Sequence, residues 1–451
     1  MERYLFYMTF FENIDLFFLS MLSTTFLTYI SLRKLSIAGI LDPLHFFWTF
    51  TFGTAYGIVL ALYINGNVTT YTFSIIFSYA LCLVIFINFF LKIKITPFNR
   101  IFSKLFITQH EPKLLYYFVL ILFIINTLII INYIGFGFLA EDNRFEQNRG
   151  MGIFVRVFAV FRIFFISYFT LLIYRTYIKY GVFSFTFLTK LFFFLPFIVF
   201  TALLDGAKFA FLESILTIVV TLYIVNKNIK ISNLKILIIT ISSLAFALIV
   251  YSVNLSNNGL ADKESKYIPG TPFVVEALSF RVLANADKYF LSLPNDVIEE
   301  VETKPIYIRL LAPVIGSTRL SKMLGYDVNN YSIGKQILLY WHPKFDIAGG
   351  PTSHFDLFAY KQLGYLGGFL WVVFTAFILV GIKNLALMSF HIKFATAVFV
   401  VLWIRSFPLL IEPPLGLAYI LDVFIIFGVM SVIYYIISAV AIKDKRKCEN
   451  A

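Results

Sequence analysis

Apolar residues run along this chain in long unbroken blocks, with no alternation and with three-to-four spacing only in short stretches. A bilayer core takes about 20 apolar residues per helix. Blocks of that kind lie near 14 to 32, 44 to 64, 71 to 91, 114 to 134, 153 to 174, 187 to 204, 209 to 226, 236 to 253, 364 to 382, 394 to 411 and 415 to 441. The pattern predicts an all-α, polytopic membrane protein of about eleven transmembrane helices. The first block is too long for a signal-peptide core and no small-residue cleavage site follows it, so it reads as a retained span.

Basic residues sort the connections between blocks. Arg33 and Lys34, the group from Lys92 to Lys113, Arg175 and Lys179, Lys227 to Lys235, Lys383 and Lys393, and the tail KDKRK all fall on one side. By the positive-inside rule that side is cytoplasmic. NGNVTT, GFGFLAEDNRFEQNRG, the tight LDGAK connection, RSFPLLIEPP and the long stretch 254 to 363 are then expected to face outward.

That long stretch breaks the apolar rhythm. TPFVVEALSFRVLANADKYFLSL has apolar residues at helical spacing with Glu276, Arg281 and Lys288 between them, which predicts an amphipathic helix at the outer interface. A segment of this length without repeats usually carries function. The expected organisation is a membrane domain over 1–253, an extracytoplasmic loop over 254–363, a second membrane part over 364–442 and a basic tail over 443–451.

Composition agrees with this picture and narrows it. With 60% hydrophobic and 14% charged residues and a mean hydropathy of +0.84, the chain has too little polar surface for a water-soluble globule. The formal charge of +12 follows from topology and anionic lipid, so no nucleic-acid partner is needed to explain it. Two cysteines, Cys82 and Cys448, allow neither a disulfide framework nor a thiolate metal site. No metal-ligand spacing, phosphate-cradling glycine loop or nucleophile elbow occurs, and no cofactor is expected.

Three clusters carry candidate chemistry. In LAEDNRFEQNRGMGIFVRVFAVFRIFF, Arg144, Arg149, Arg156 and Arg162 run from a polar loop into a span. Charges within a membrane mark a function or a partner. Arg149 and Arg156, seven residues apart, share nearly one helix face, and Arg162 lies on another. Either Arg156 and Arg162 pair with acids on neighbouring helices such as Glu213 or Asp422, or the outward arginines chelate a diphosphate through their planar forks. The second cluster is ALLDGAKFAFLES, where Asp205 and Lys208 sit on a hairpin turn at the interface, as an ordinary polar turn or as lipid-headgroup contacts. The third is the loop itself, with Arg281, Lys288, Arg309, Arg319, His342, His354 and Asp356. Most such charges are only solvated, but in GGPTSHFD two glycines precede His354 and Asp356, placing a titratable base beside the next span.

These features resemble the O-antigen polymerases of the Wzy type. The likeness rests on the arginine and glycine segment NRFEQNRGMGIF, on the short hairpin and long helix LLDGAKFAFLESILTIVVTLYI, and on one large outer loop closing in HFDLFAYKQLGYLGGFL. The resemblance implies an enzyme of the bacterial inner membrane that joins oligosaccharide repeats carried on undecaprenyl diphosphate, with its site facing the periplasm. It implies Arg144, Arg149, Arg156 and Lys208 at the donor diphosphate, Arg281 or Arg309 at the acceptor lipid, and His354 or else Asp205 as general base. A chain-length regulator and a flippase of the same pathway are the implied partners. An O-antigen ligase and a flippase or exporter of lipid-linked oligosaccharide stay open as alternatives.

Overall fold

The computed structural model describes residues 1–93, 95–107, 112–135, 150–205, 208–226, 264–265, 267, 272–345, 350–388 and 392–449. The blocks among these residues fold as helices because a backbone in hydrocarbon must satisfy its hydrogen bonds within one segment. A short helix α1 (Arg3–Glu12) precedes α2 (Ile14–Leu32), α3 (His45–Ile64), α4 (Thr70–Lys92), the amphipathic α5 (Thr96–Phe106), α6 (Lys113–Tyr133), α7 (Gly152–Tyr180), α8 (Phe185–Asp205) and α9 (Lys208–Val225). The segment from 272 to 345 holds α10 (Phe273–Leu283), α11 (Asp287–Ser292), α12 (Val297–Glu300), α13 (Ile306–Ile315), α14 (Ser317–Leu324) and α15 (Ile333–Trp341). Then come α16 (Phe355–Leu385), α17 (Lys393–Ser406), the one-turn α18 (Pro408–Ile411) and α19 (Pro413–Glu449).

Among the described residues, nine helices are long and apolar enough to cross a membrane: α2, α3, α4, α6, α7, α8, α16, α17 continued through α18, and the apolar part of α19. This is the architecture of a polytopic helical membrane protein. The block at 209 to 226 forms the shorter apolar helix Phe209–Val225, and the block at 236 to 253 lies outside the described residues. No strand occurs among the described residues, only the isolated bridge between Glu264 and Pro272.

Two local features place the site. α2 and α3 touch backbone to backbone, because a Cβ on Gly53 would stand 2.7 Å from Thr25 Cα, and Thr24 Oγ1 donates to the Gly53 carbonyl at 2.6 Å. That contact fixes the rotation of α3 and so the direction of its Tyr56. The other feature is α16, which begins at Phe355, well before the apolar block predicted near 364, and breaks at Gly364 (φ 68°, ψ −178°). Only glycine takes that conformation readily. Tyr79 of α4 points its hydroxyl at the break, 3.2 and 2.7 Å from the Gly364 and Tyr365 carbonyl oxygens. The piece before the break folds back onto the piece after it, with the Phe358 and Trp371 rings 5.1 Å apart.

Where one amphipathic helix is expected near 271 to 293, the chain forms two helices, α10 and α11, joined by a 3-10 turn (Ala284–Ala286), and α11 is buried on nearly all sides. Their apolar faces meet protein: Phe280 stacks on Tyr7 at 4.1 Å and Phe290 on Phe6 at 3.8 Å. Aromatic packing against α1 holds α11 where its Lys288 and Tyr289 face inward and are buried.

Candidate functional site

His354 sits at the hinge between an extended strip and α16. Gly350 and Pro351 press against α15, where a Cβ on Gly334 would overlap the Pro351 carbonyl. Ser353 N–H donates to Glu412 Oε2 at 2.7 Å and His354 N–H to the Ile411 carbonyl at 2.8 Å, so the strip is tied to the turn between α18 and α19. His354 takes φ 44°, ψ 150°, a region that residues with a Cβ seldom enter. Such a backbone costs about 1–3 kcal/mol and persists where the surroundings over-determine it, which happens most at functional sites.

The sequence reading treats His354 as an exposed loop imidazole. The structure buries it fully, with its ring 4.4 Å from Phe52 in the interior of α3. The loop runs inward at this point because residues 350–356 are pinned on both sides by the bonds just described.

Around the imidazole runs a chain of polar groups. Lys288 Nζ lies 2.9 Å from Nε2 and also donates to Thr352 Oγ1 at 3.3 Å. Tyr289 OH lies 3.0 Å from Nδ1 and reaches both carboxylate oxygens of Asp356, at 2.8 and 2.7 Å. Tyr56 OH donates to Asp356 Oδ2 at 2.9 Å, and Leu357 N–H to Oδ1 at 2.8 Å. A lysine ammonium only donates, so Nε2 accepts and the ring proton belongs on Nδ1. Nδ1–H then donates to the Tyr289 oxygen, and both tyrosine hydroxyls donate to Asp356. Every proton in the chain has an acceptor under this single assignment.

Burial governs the charges. It holds the His354 pKa well below the usual 6.5, and the neighbouring Lys288 charge pushes the same way. Burial also lowers Lys288, opposed by Asp287, whose carboxylate is 3.5 Å away, and by Asp356. Tyr289 is raised well above its ordinary value by burial and then by Asp356, so it stays a donor. The arrangement can orient one imidazole nitrogen and back it with a hydroxyl and a carboxylate.

The remaining expected residues separate into groups. Arg156 donates to Asp422 Oδ1 of α19 at 2.8 Å. Arg162 is fully buried, bonded to Glu213 and 3.2 Å from Asp205 Oδ2. For both arginines the pairing with acids on neighbouring helices is the alternative realised, and Asp205 stands at the end of α8 facing a cation. Arg309 is buried too, its Nη1 donating to the Val328 carbonyl at 2.7 Å, which ties α13 to the turn before α15. Its charge and that of Glu412 act on each other. Arg281 is exposed on α10. Lys208 opens α9, its side chain outside the described residues, as are Arg144 and Arg149. No group of three or more metal-ligating side chains occurs among the described residues.

Tyr56 and Tyr289 escape the sequence reading. For Tyr56 the available signal is weak: a tyrosine inside a span, away from the interfacial belts, needs a partner for its hydroxyl. No protein-family model, curated protein or solved structure matches this chain. What the residues themselves define is a polytopic helical membrane protein with a buried lysine–histidine–tyrosine–aspartate chain.

Proposed function

We propose that this chain is a membrane glycosyltransferase of the O-antigen polymerase type. It joins oligosaccharide repeats carried on undecaprenyl diphosphate at the periplasmic face of the bacterial inner membrane. The observation that supports this reading best is the polar chain at His354, built where the segment from 272 to 345 meets the spans. A passive connector has no need to carry a strained histidine, a lysine and a tyrosine into an apolar interior, because each costs free energy to bury.

In the proposed reaction the acceptor sugar hydroxyl attacks the donor anomeric carbon. The new C–O bond forms as the bond to the diphosphate breaks, and the hydroxyl proton must go to a base. Nε2 of His354 carries the lone pair for it, and Lys288 Nζ occupies the place where that hydroxyl would stand. A change in the Lys288 side-chain rotamer, with α11 and Tyr289 left in place, exchanges the ammonium for the acceptor. Tyr289 and Asp356 then hold the ring and stabilise the imidazolium, the part an aspartate plays in a Ser-His-Asp triad. The displaced ammonium is available for the charge growing on the leaving diphosphate. Arg144, Arg149 and Lys208 are assigned to the donor diphosphate and Arg281 or Arg309 to the acceptor lipid, while Arg156, expected with the first group, is held by Asp422. Asp205 is the second choice as base, handicapped by Arg162. A flippase supplying the repeats and a chain-length regulator complete the proposed partnership.

The test is lipopolysaccharide banding in a deletion strain complemented with variants at matched membrane levels. His354→Asn keeps a polar side chain at this position and cannot take up a proton. It should leave a single repeat on the core. A full ladder from His354→Asn with single repeats from Asp205→Asn would transfer the base to Asp205. A bare core in the deletion strain would point to a ligase, and repeats stranded on the inner face to a flippase.

A further inference from the structure

Outside the histidine chain, the strongest unmet chemistry lies on α17. Arg405 stands in its last turn, 5% exposed, with its guanidinium carbon 3.4 Å from the centroid of the Tyr419 ring of α19. Stacking covers one face of the guanidinium and leaves its edges as the only directions for hydrogen bonds. Its Nε and Nη2 are enclosed and have no partner. These two donors form one edge, the side-on fork that accepts two oxygens of a single phosphate. A fold seldom leaves a buried charge with both prongs of such a fork unmet, because each unmet donor carries its full desolvation cost.

The surroundings select an anion. Tyr419 and Asp422 are one turn apart on α19. Asp422 takes one prong of Arg156 from α7, while Arg156 Nε and Asp422 Oδ2 are themselves enclosed without partners. Both Arg156 and Arg405 act on Asp422 electrostatically, so two cations share one carboxylate and the cluster carries an excess positive charge. Its position is held by backbone: a Cβ on Gly416 would overlap the Leu409 backbone, so α18 is pressed onto the start of α19 and the turn after Arg405 has no room to shift. All three helices are candidate membrane spans, so a ligand reaching this edge must bring an apolar body with its anion.

We propose that the Nε and Nη2 edge of Arg405 binds the phosphate of a lipid. The source is either a prenyl diphosphate, which deepens the polymerase reading by naming a donor-phosphate residue and rests on that reading, or a phospholipid headgroup.

The test uses the full chain purified in a neutral detergent, with binding followed by native mass spectrometry. The probes are geranylgeranyl diphosphate, phosphatidylglycerol, geranylgeraniol and inorganic diphosphate. Wild type should bind geranylgeranyl diphosphate at least tenfold more tightly than geranylgeraniol. Arg405→Gln should lose at least tenfold for the diphosphate lipid and nothing for the alcohol. Arg405→Lys, which keeps the charge and guards against a folding defect, should lose most of the same affinity because one ammonium cannot replace a fork. Asp422→Asn, which removes the competing carboxylate, should tighten binding, an effect that a merely structural role for Arg405 does not produce. Unchanged affinity in both Arg405 variants overturns the site, while ladder synthesis in the same strain keeps the polymerase reading standing. Arg405-dependent binding of phosphatidylglycerol without geranylgeranyl diphosphate keeps the site and removes the donor from the polymerase reading. Binding of inorganic diphosphate alone overturns the lipid assignment.

Discussion

Replacing Asp356 by asparagine changes the shape of the site hardly at all and its hydrogen bonding a great deal. The carboxylate accepts from Tyr289 OH, Tyr56 OH and Leu357 N–H, all within 2.9 Å. Asparagine can keep the bond from Leu357 and one tyrosine, but its amide nitrogen then faces a hydroxyl that now points a proton at a donor. A bond to a charged acceptor contributes about 1.5–3 kcal/mol and a neutral one about 0.5–1.5 kcal/mol, so weakening both tyrosine bonds should cost about 2 kcal/mol. Tyr56→Phe removes one donor and leaves the carboxylate two others, for a loss of about 1–2 kcal/mol. The two changes share one bond, so the double variant should fall short of the sum by about 1 kcal/mol. Reversible unfolding in mixed detergent micelles at pH 8, followed by far-UV circular dichroism, gives all three values. Strict additivity, within about 0.3 kcal/mol, would refute the Tyr56 to Asp356 bond and with it the assignment of protons along the chain.

The pH dependence of stability follows from His354. Its folded pKa is depressed below the ordinary 6.5, so the native state keeps it neutral while the unfolded chain takes up a proton as pH falls. The associated stability is complete above pH 6.5 and is lost below it, at up to about 1.4 kcal/mol per pH unit. The difference between wild type and His354→Asn isolates this term, and equal slopes between pH 7 and pH 5 would contradict it. Arg162→Met leaves Asp205 and Glu213 buried without their cation and should destabilise by about 3–5 kcal/mol, as removal of one partner from a buried pair does; a loss under about 1 kcal/mol would mean that the cluster is open to water. Sidedness can be read by thiol labelling in a cysteine-free background. Lys322→Cys on the exposed face of α14 should react with an impermeant reagent in intact cells and a lone Cys448 only after permeabilisation, and the opposite result would invert the topology.

The sequence by itself determined most of the long apolar helices among the described residues. Hydropathy is summed over about 20 neighbouring residues, so a span is a local property that a linear reading captures. It also marked Arg156 and Arg162 as charges needing partners, and His354 and Asp356 as neighbours. Which partner each charge takes was decided by the tertiary structure alone. Arg156 meets an aspartate 266 positions away and Tyr56 a carboxylate 300 positions away. Those meetings depend on how far each helix is rotated about its axis, and that rotation is set by close contacts such as Gly53 on Thr25. The burial of His354 has the same origin. GGPTSHFD reads as a surface turn because its residues are small and polar, yet Glu412, Ile411 and α15 draw it inward through bonds between segments far apart in the chain. Local composition governs which segments enter the membrane, and packing between segments governs which polar groups find one another there.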